Sequence, residues 1–140
     1  VVNLERTNIR YITREQVPDN IDFASVDVSF ISLTLVLPVA YQFLSEQGEM
    51  VCLIKPQFEA GKEKVEKGGV VRDKKVHIEV IENVINFAQK LDYKINGLTF
   101  SSIKGPSGNI EYLIWLSTKS GEETTFDVKS IVENAFETLN

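Results

Sequence analysis

Three polar residues stand where apolar stretches of the sequence end or begin, and their types are those of an active site. Asp27 interrupts the end of one apolar run, and Lys55, followed by Pro56, closes another. Glu111 follows a loop that is rich in Gly, Pro and Ser. Because ligands of open α/β sheets bind beyond the carboxyl ends of the parallel strands, these residues are the first candidates for a functional site.

A lysine between two carboxylates would be a chemically specific arrangement. Each carboxylate within about 4–6 Å of Lys55 would favour the ammonium form of the lysine and hold it in one orientation. Such a cation can align a weak nucleophile, for instance a hydroxyl group, with an electrophilic group, while the carboxylates help to manage the departing proton. Asp27, Lys55 and Glu111 are therefore candidate catalytic residues, and which group takes the proton is left open.

Strand and helix patterns alternate along the chain, which predicts an α/β fold with a mainly parallel sheet. Apolar runs predict strands at residues 1–4, 23–30, 50–54, 94–101 and 110–117. Periodicity and capping residues predict helices from Ser32 to about residue 44, over residues 76–91 and over residues 127–139. Pro38 predicts a kink or a broken first turn in the first helix, and Gln47 with Gly48 predicts its end.

The last two predicted strands decide whether the candidate residues meet. Residues 94–101 and 110–117 are joined by a connection that is too short for a parallel crossover, so they are expected to run antiparallel. The start of an antiparallel strand lies at the same edge of a sheet as the ends of the parallel strands. Asp27, Lys55 and Glu111 are therefore expected to converge on one edge.

Composition limits the class of protein. The chain has 140 residues, of which 43% are hydrophobic and 25% charged, as expected for one compact domain. No apolar run approaches the roughly 18 residues of a membrane span, and the amino end lacks a secretory signal pattern, so we expect a cytoplasmic protein with no membrane partner. The net charge of −5 argues against this segment binding a phosphate backbone by itself.

Other polar and aromatic residues are expected to have structural roles. Cys52 lies inside an apolar run, so a buried thiol is expected there, and no metal site is predicted. We expect helix caps or loop hydrogen bonds from Ser29, Ser32 and Asn109, a surface or boundary position for His77, and core positions for Tyr112 and Trp115.

Motifs along nearly the whole chain resemble those of one family, the FtsJ-like RNA 2′-O-ribose methyltransferases, and within it the TlyA (hemolysin A) type. The motifs stand in the family's order at residues 5–10 (ERTNIR), 27–33 (DVSFISL), 53–61 (LIKPQFEAG), 68–73 (GGVVRD) and 102–112 (SIKGPSGNIEY). The resemblance implies a class I, Rossmann-like methyltransferase sheet that is mostly parallel with an antiparallel last strand. It also implies S-adenosylmethionine as methyl donor and ribosomal RNA, or a ribosomal subunit, as partner.

The resemblance also implies roles for individual residues. The family has a catalytic Lys-Asp-Lys-Glu tetrad, in which Asp27 matches the Asp, Lys55 the second Lys and Glu111 the Glu. Thr7 and Asn8 match a segment that borders the adenine of the donor, and together with Asp27 they are the candidate cofactor-binding residues. The implied reaction is methyl transfer to a ribose 2′-hydroxyl of ribosomal RNA.

Some parts of the family's pattern are missing from this sequence. The first tetrad lysine, the glycine-rich loop that binds the donor, the first two strands of the sheet and an S4-like RNA-binding domain have no counterpart here. We therefore expect residues 1–140 to form a partial methyltransferase domain. On their own they are expected to bind the donor poorly and not to methylate, so that the activity belongs to the parent protein.

Two other functions and one charged segment stay open. A membrane-active haemolysin is suggested by the family's historical name, although no signal or basic amphipathic helix is present. A non-catalytic RNA-binding domain that retains the fold is opposed by the acidic charge and the intact candidate residues.

Residues 56–75 are predicted to be a long mobile loop, either merely solvated or acting as a lid or RNA contact through Lys62, Lys64, Lys67, Arg72, Lys74 and Lys75.

Overall fold

The described part of the chain, residues 13–17, 20–119 and 124–140 of a computed structural model, forms a sheet covered by helices. The strands are β1 (Ile21–Val26), β2 (Leu44–Ile54), β3 (Lys94–Phe100) and β4 (Tyr112–Ser117). The helices are α1 (Leu33–Phe43), α2 (Pro56–Glu59), α3 (Lys74–Lys90) and α4 (Val128–Leu139), with a 3₁₀ turn at Lys62–Lys64. The predicted strand at residues 1–4, together with Thr7 and Asn8, lies outside the described residues.

The sheet has the order β1-β2-β4-β3. Strand β1 is parallel to β2, whereas β4 runs antiparallel to both of its neighbours, β2 and β3. Strands β1, β2 and β3 therefore point in one direction and β4 in the other. The predicted antiparallel last strand and the common direction of the other strands are confirmed, and the described sheet is mixed, with one parallel and two antiparallel pairings.

The core lies between one face of the sheet and the long helices. Alternate residues of β2, namely Met50, Cys52 and Ile54, are fully buried on this face. The predicted apolar stripe of α3 packs onto the same core, as does that of α4. Burial raises the pKa of the Cys52 thiol to about 12, so it stays protonated and unreactive at neutral pH, as expected of a structural cysteine.

The opposite face of the sheet is less covered. Val51 of β2 pairs with Trp115 of β4, which in turn pairs with Gly97 of β3, so these residues share that face. Trp115 is 43% exposed, and the expectation of a core position for it was wrong, whereas Tyr112 is fully buried. The physical reason is alternation: Tyr112 and Trp115 are separated by an odd number of positions, so they point to opposite faces.

Element boundaries differ from the predictions at several places. Strand β1 ends at Val26 instead of residue 30, and β2 begins at Leu44, so Gln47 and Gly48 lie in a strand and not at a helix end. A register shift in the β1–β2 pairing accommodates the added residues. Helix α1 runs through Pro38 without a break.

The segment of residues 56–75 is more ordered than the loop predicted for it. Pro56 occupies the first position of α2, where a missing N–H costs nothing and the fixed φ favours a helix. A 3₁₀ turn follows, and an antiparallel bridge then joins Glu66 to Val70 around the left-handed glycines Gly68 and Gly69. Short hydrogen-bonded elements thus occur within the segment for which a long loop was predicted.

His77 is fully buried, so the surface or boundary position expected for it was wrong. Its Nε2 lies 2.8 Å from the carbonyl oxygen of Val71, which can only accept, so Nε2–H is the donor. Nδ1 then accepts from the hydroxyl of Tyr112 at 2.9 Å. Burial lowers the pKa of His77, so the imidazole is neutral and links the start of α3 to β4.

Candidate functional site

Asp27 and Lys55 face each other at the carboxyl edge of the sheet. Asp27 directly follows β1, and Lys55 directly follows the parallel neighbour β2, so the β1–β2 pairing delivers both to one place. The ammonium of Lys55 forms an ion pair with Asp27 Oδ1 and donates a hydrogen bond to Ser29 Oγ at 3.3 Å. The Lys55 side chain is 12% exposed and that of Asp27 66%. Lys55 is therefore a largely enclosed, oriented cation beside an accessible carboxylate.

Glu111 reaches the same edge from the antiparallel strand β4, which begins at the next residue. Its side chain is almost buried, and Oε2 accepts a hydrogen bond from Gln57 Nε2 at 3.1 Å. Gly105 lies so close that a Cβ built on it would sit 2.6 Å from Oε2. The predicted arrangement of a lysine between two carboxylates is thus only partly formed, because Lys55 pairs with Asp27 whereas Glu111 contacts Gln57.

Lys55 and Glu111 line one cleft. Its volume is about 410 Å³, and its walls include Gln57, Phe30 and Phe58. Clefts of a few hundred Å³ with a small number of fixed polar groups are typical of ligand sites. Two of the three residues picked from the sequence, Lys55 and Glu111, therefore line a space in which a reacting group could sit. Asp27 is connected to this space through its ion pair with Lys55.

Phe30 is a candidate binding residue that was not predicted from the sequence. It is 89% exposed and has a φ of +64°, a left-handed conformation that is costly for a bulky side chain. Its ring lies 4.9 Å from the ring of Phe58, centroid to centroid. The sequence signal was present, since Asp27 and Ser29 already interrupt the strand and leave Phe30 in a turn, but Phe30 was assigned to the strand itself.

Glu59 is a second residue without a predicted role. Its carboxylate accepts hydrogen bonds from Ser32 Oγ at 2.7 Å and from the backbone N–H of Leu33 at 2.9 Å. Burial raises the pKa of Glu59, and these two hydrogen bonds act in the opposite direction. Ser32 also accepts from the N–H of Thr34 at 3.1 Å, which confirms it as the cap of α1.

Asn109 has the loop-stabilising role expected for it. Its Oδ1 accepts from the N–H of Val71 at 3.0 Å, and its Nδ2 donates to the carbonyl of Gly69 at 2.8 Å. These bonds join the glycine turn to the loop before β4, and both segments contribute to the cleft wall. Asn109 therefore shapes the site without reacting in it.

The basic residues of segment 56–75 are partly neutralised by acids. Lys64 pairs with Glu79 at 2.8 Å, and Arg72 lies 4.0 Å from a carboxylate oxygen of Glu66. Both pairs are largely exposed to solvent, which agrees with the alternative that this segment is merely solvated. A lid or RNA-contact role for this segment stays a prediction.

Within residues 13–17, 20–119 and 124–140, no group of three or more His, Cys, Asp or Glu side chains is arranged to hold a metal ion. The helices found in those same residues are all too short or too polar to cross a membrane.

Comparison with known proteins identifies the family. The model of the FtsJ-like methyltransferases matches residues 1–118, and the chain belongs to that family. It is 44% identical to "Putative rRNA methyltransferase YqxC" of Bacillus subtilis, over 99% of this chain and 52% of the relative. It is 43% identical to the 16S/23S rRNA (cytidine-2'-O)-methyltransferase TlyA of Mycobacterium tuberculosis, over 86% of this chain and 45% of the relative.

Solved structures show the same fold. A "putative hemolysin" from Streptococcus thermophilus superposes with a TM-score of 0.87 at 38% identity, covering 95% of this chain and 49% of that one. The family resemblance and the methyltransferase fold predicted from the motifs are both confirmed. The chain spans about half the length of the relatives it matches.

Proposed function

We propose that this chain provides the catalytic edge of an enzyme that transfers a methyl group from S-adenosylmethionine to a ribose 2′-hydroxyl of ribosomal RNA. The observation that carries the proposal is the Asp27–Lys55 ion pair at the carboxyl edge of the sheet, with Glu111 in the wall of the adjoining cleft. Family membership and the names of the relatives agree with this chemistry. The proposal includes the ribosomal RNA or ribosomal subunit as partner and, with it, a cytoplasmic location.

Lys55 is the residue to which we assign alignment of the hydroxyl. A ribose hydroxyl is a weak nucleophile, and its reaction depends on holding the oxygen in line with the electrophilic carbon. The ammonium of Lys55 is fixed by Asp27 and Ser29 and has a further N–H available to donate to that oxygen. Its enclosure makes the interaction stronger than it would be in water.

The two carboxylates have different environments and therefore different proposed roles. Asp27 is exposed and orients the ammonium of Lys55. Glu111 is buried and accepts a hydrogen bond from Gln57, so it presents a fixed carboxyl group to the cleft. Both carboxyl groups lie at the edge of the sheet where the hydroxyl would lose its proton, and both are candidate acceptors of that proton.

The methyl donor when bound supplies an electrophilic methyl group on a sulfonium cation. The residues present fit such a group in one respect, because Asp27 offers an exposed carboxylate of opposite charge at the end of β1. Asp27 is accordingly proposed to face the donor as well as Lys55. Thr7 and Asn8 stay proposed donor contacts by their match to the family's motif.

Phe30 and Phe58 are proposed to contact a base of the RNA. Specific recognition of RNA depends largely on unpaired bases that stack on aromatic side chains. The exposed ring of Phe30 lies beside Phe58 at the mouth of the cleft that Lys55 lines. Stacking also suits a chain with a net charge of −5, which has little overall attraction for phosphates.

The decisive experiment replaces Lys55 in the complete protein. Lys55→Ala is expected to lower methylation of ribosomal RNA by at least about 100-fold while binding of S-adenosylmethionine is retained, since the lysine acts on the hydroxyl. Lys90→Ala, at an exposed position of α3, is the matched control and should be fully active. Unchanged methylation by Lys55→Ala would overturn the assignment.

A further inference from the structure

Strand β1 ends one residue before Asp27, and strand β2 ends one residue before Lys55. The β1–β2 pairing ends with Val26 opposite Cys52, so no ladder hydrogen bond holds Asp27 next to Lys55. The strand pairing brings both residues to the same edge of the sheet, but their exact separation depends in addition on contacts beyond the strand ends.

Glu59 provides such a contact. It closes the single turn of α2, and its N–H donates to the carbonyl of Lys55 at 3.2 Å, so its backbone is tied to the lysine. Its carboxylate is tied to the other segment, through Ser32 Oγ at 2.7 Å and the N–H of Leu33 at 2.9 Å. Glu59 thus bridges the turn after β2 and the turn after β1.

Capping of α1 alone does not account for this contact. The N–H of Thr34 is already satisfied by Ser32, which is the cap of the helix. Glu59 adds an acceptor that comes from a different part of the chain and places its negative charge at the positive end of the α1 dipole. A charge-assisted bond to a backbone N–H is stronger than a neutral one, so the bridge resists displacement.

We propose that Glu59 is a positioning residue, which sets the distance between Asp27 and Lys55 by anchoring the start of α1 to the turn that begins at Lys55. The inference rests on the proposed methyl transfer, in which these two residues act. Glu59 touches neither of their charged groups and works through Ser32 and Leu33. Catalysis is sensitive to such an anchor because a misplacement of about 1 Å can cost about 100-fold in rate.

The test compares Glu59→Ala, Glu59→Gln and Ser32→Ala in the complete protein. Glu59→Ala is expected to lower kcat about 10- to 100-fold while the Kd of S-adenosylmethionine changes less than about threefold. Glu59→Gln should restore kcat to within about fivefold, because one amide oxygen can accept from both Ser32 and Leu33. Glu133→Gln, on the exposed face of α4, is the matched control and should be unchanged.

The double variant Glu59→Ala with Ser32→Ala separates positioning from a general loss of structure. Residues that act through one connection have non-additive effects, so the double variant should be no slower than Glu59→Ala alone. Additive losses, a kcat for Glu59→Ala within about twofold of the wild type, or failure of Gln to rescue would each overturn the inference. If the wild-type protein does not methylate ribosomal RNA, the proposed function fails and the inference with it.

Discussion

The ammonium of Lys55 and the carboxylate of Asp27 form an ion pair across the ends of two parallel strands, with the lysine enclosed and the aspartate open to solvent. Because of this difference in exposure, the ion pair is expected to matter more for function than for stability. Because Asp27 is exposed although Lys55 is enclosed, the pair contributes on the order of 1 kcal/mol to folding, and it orients the cation that would act on a substrate.

Asp27→Asn is therefore expected to impair catalysis far more than stability. Removal of the charge that orients Lys55 should lower methylation by at least about 100-fold, while the free energy of unfolding falls by no more than about 2 kcal/mol, because Asp27 is exposed. Methylation rates and chemical denaturation measure the two effects. Asp22→Asn, at the other end of β1 and bonded to Ser45, is the control. A large loss of stability with normal methylation would contradict the proposed role.

Two glycines of the loop before β4 are expected to respond differently to alanine. In Gly105→Ala the new Cβ would lie 2.6 Å from Glu111 Oε2, so the carboxylate must move and methylation should fall about 10-fold or more. Gly108 has a φ of +90° and open space around its Cβ position. Gly108→Ala should lower the free energy of unfolding by about 1 kcal/mol through backbone strain and leave Glu111 in place.

The comparison of Gly105→Ala with Gly108→Ala needs both rates and unfolding curves. Equal methylation by the two variants would show that the position of Glu111 does not matter for the reaction.

Burial of His77 predicts that stability falls as the solution is acidified. The pKa of His77 is lowered in the folded protein, so the unfolded chain binds a proton more readily. The free energy of unfolding should therefore decrease as pH falls from about 7 through the ordinary histidine pKa of about 6.5 and on towards the lowered folded value. Thermal or urea unfolding between these pH values measures the slope.

His77→Gln is the matching variant, since His77 is the only histidine in the chain. It should cost about 1–3 kcal/mol at pH 7, because a hydrogen bond to Tyr112 or Val71 is lost, and it should flatten the dependence on pH between about 7 and 5.5. A wild-type slope that persists in the variant would assign the effect to other groups.

The backbone strain at Phe30 and the proposed stacking of its ring can be tested separately. Phe30→Gly removes the left-handed strain, whereas Phe30→Ala keeps much of it, so the glycine variant should be more stable than the alanine variant by about 1 kcal/mol. Both should weaken RNA binding about 10-fold through loss of stacking and leave donor binding unchanged. Phe23→Ala, at an exposed aromatic of β1, is the control. Normal RNA affinity of both Phe30 variants would exclude the stacking role.

Features set by neighbouring residues could be predicted from the sequence. The stripe of α3, the continuous apolar run of β2 and the caps Ser32 and Asp127 all occur in the structure. The direction of β4 was also predictable, because a short connection from β3 permits only an antiparallel pair. These properties depend on local backbone preferences and on the period of hydrophobic residues, which a single sequence displays directly.

The sequence by itself thus determined the α/β class, the family motifs and the edge at which Asp27, Lys55 and Glu111 stand. Only the tertiary structure decided that Lys55 pairs with Asp27 while Glu111 contacts Gln57. It likewise decided that Glu59 joins the start of α1. The reason is physical: side chains far apart in sequence choose their partners by distance, burial and rotamer after the strands have paired, and none of these quantities is encoded in local spacing.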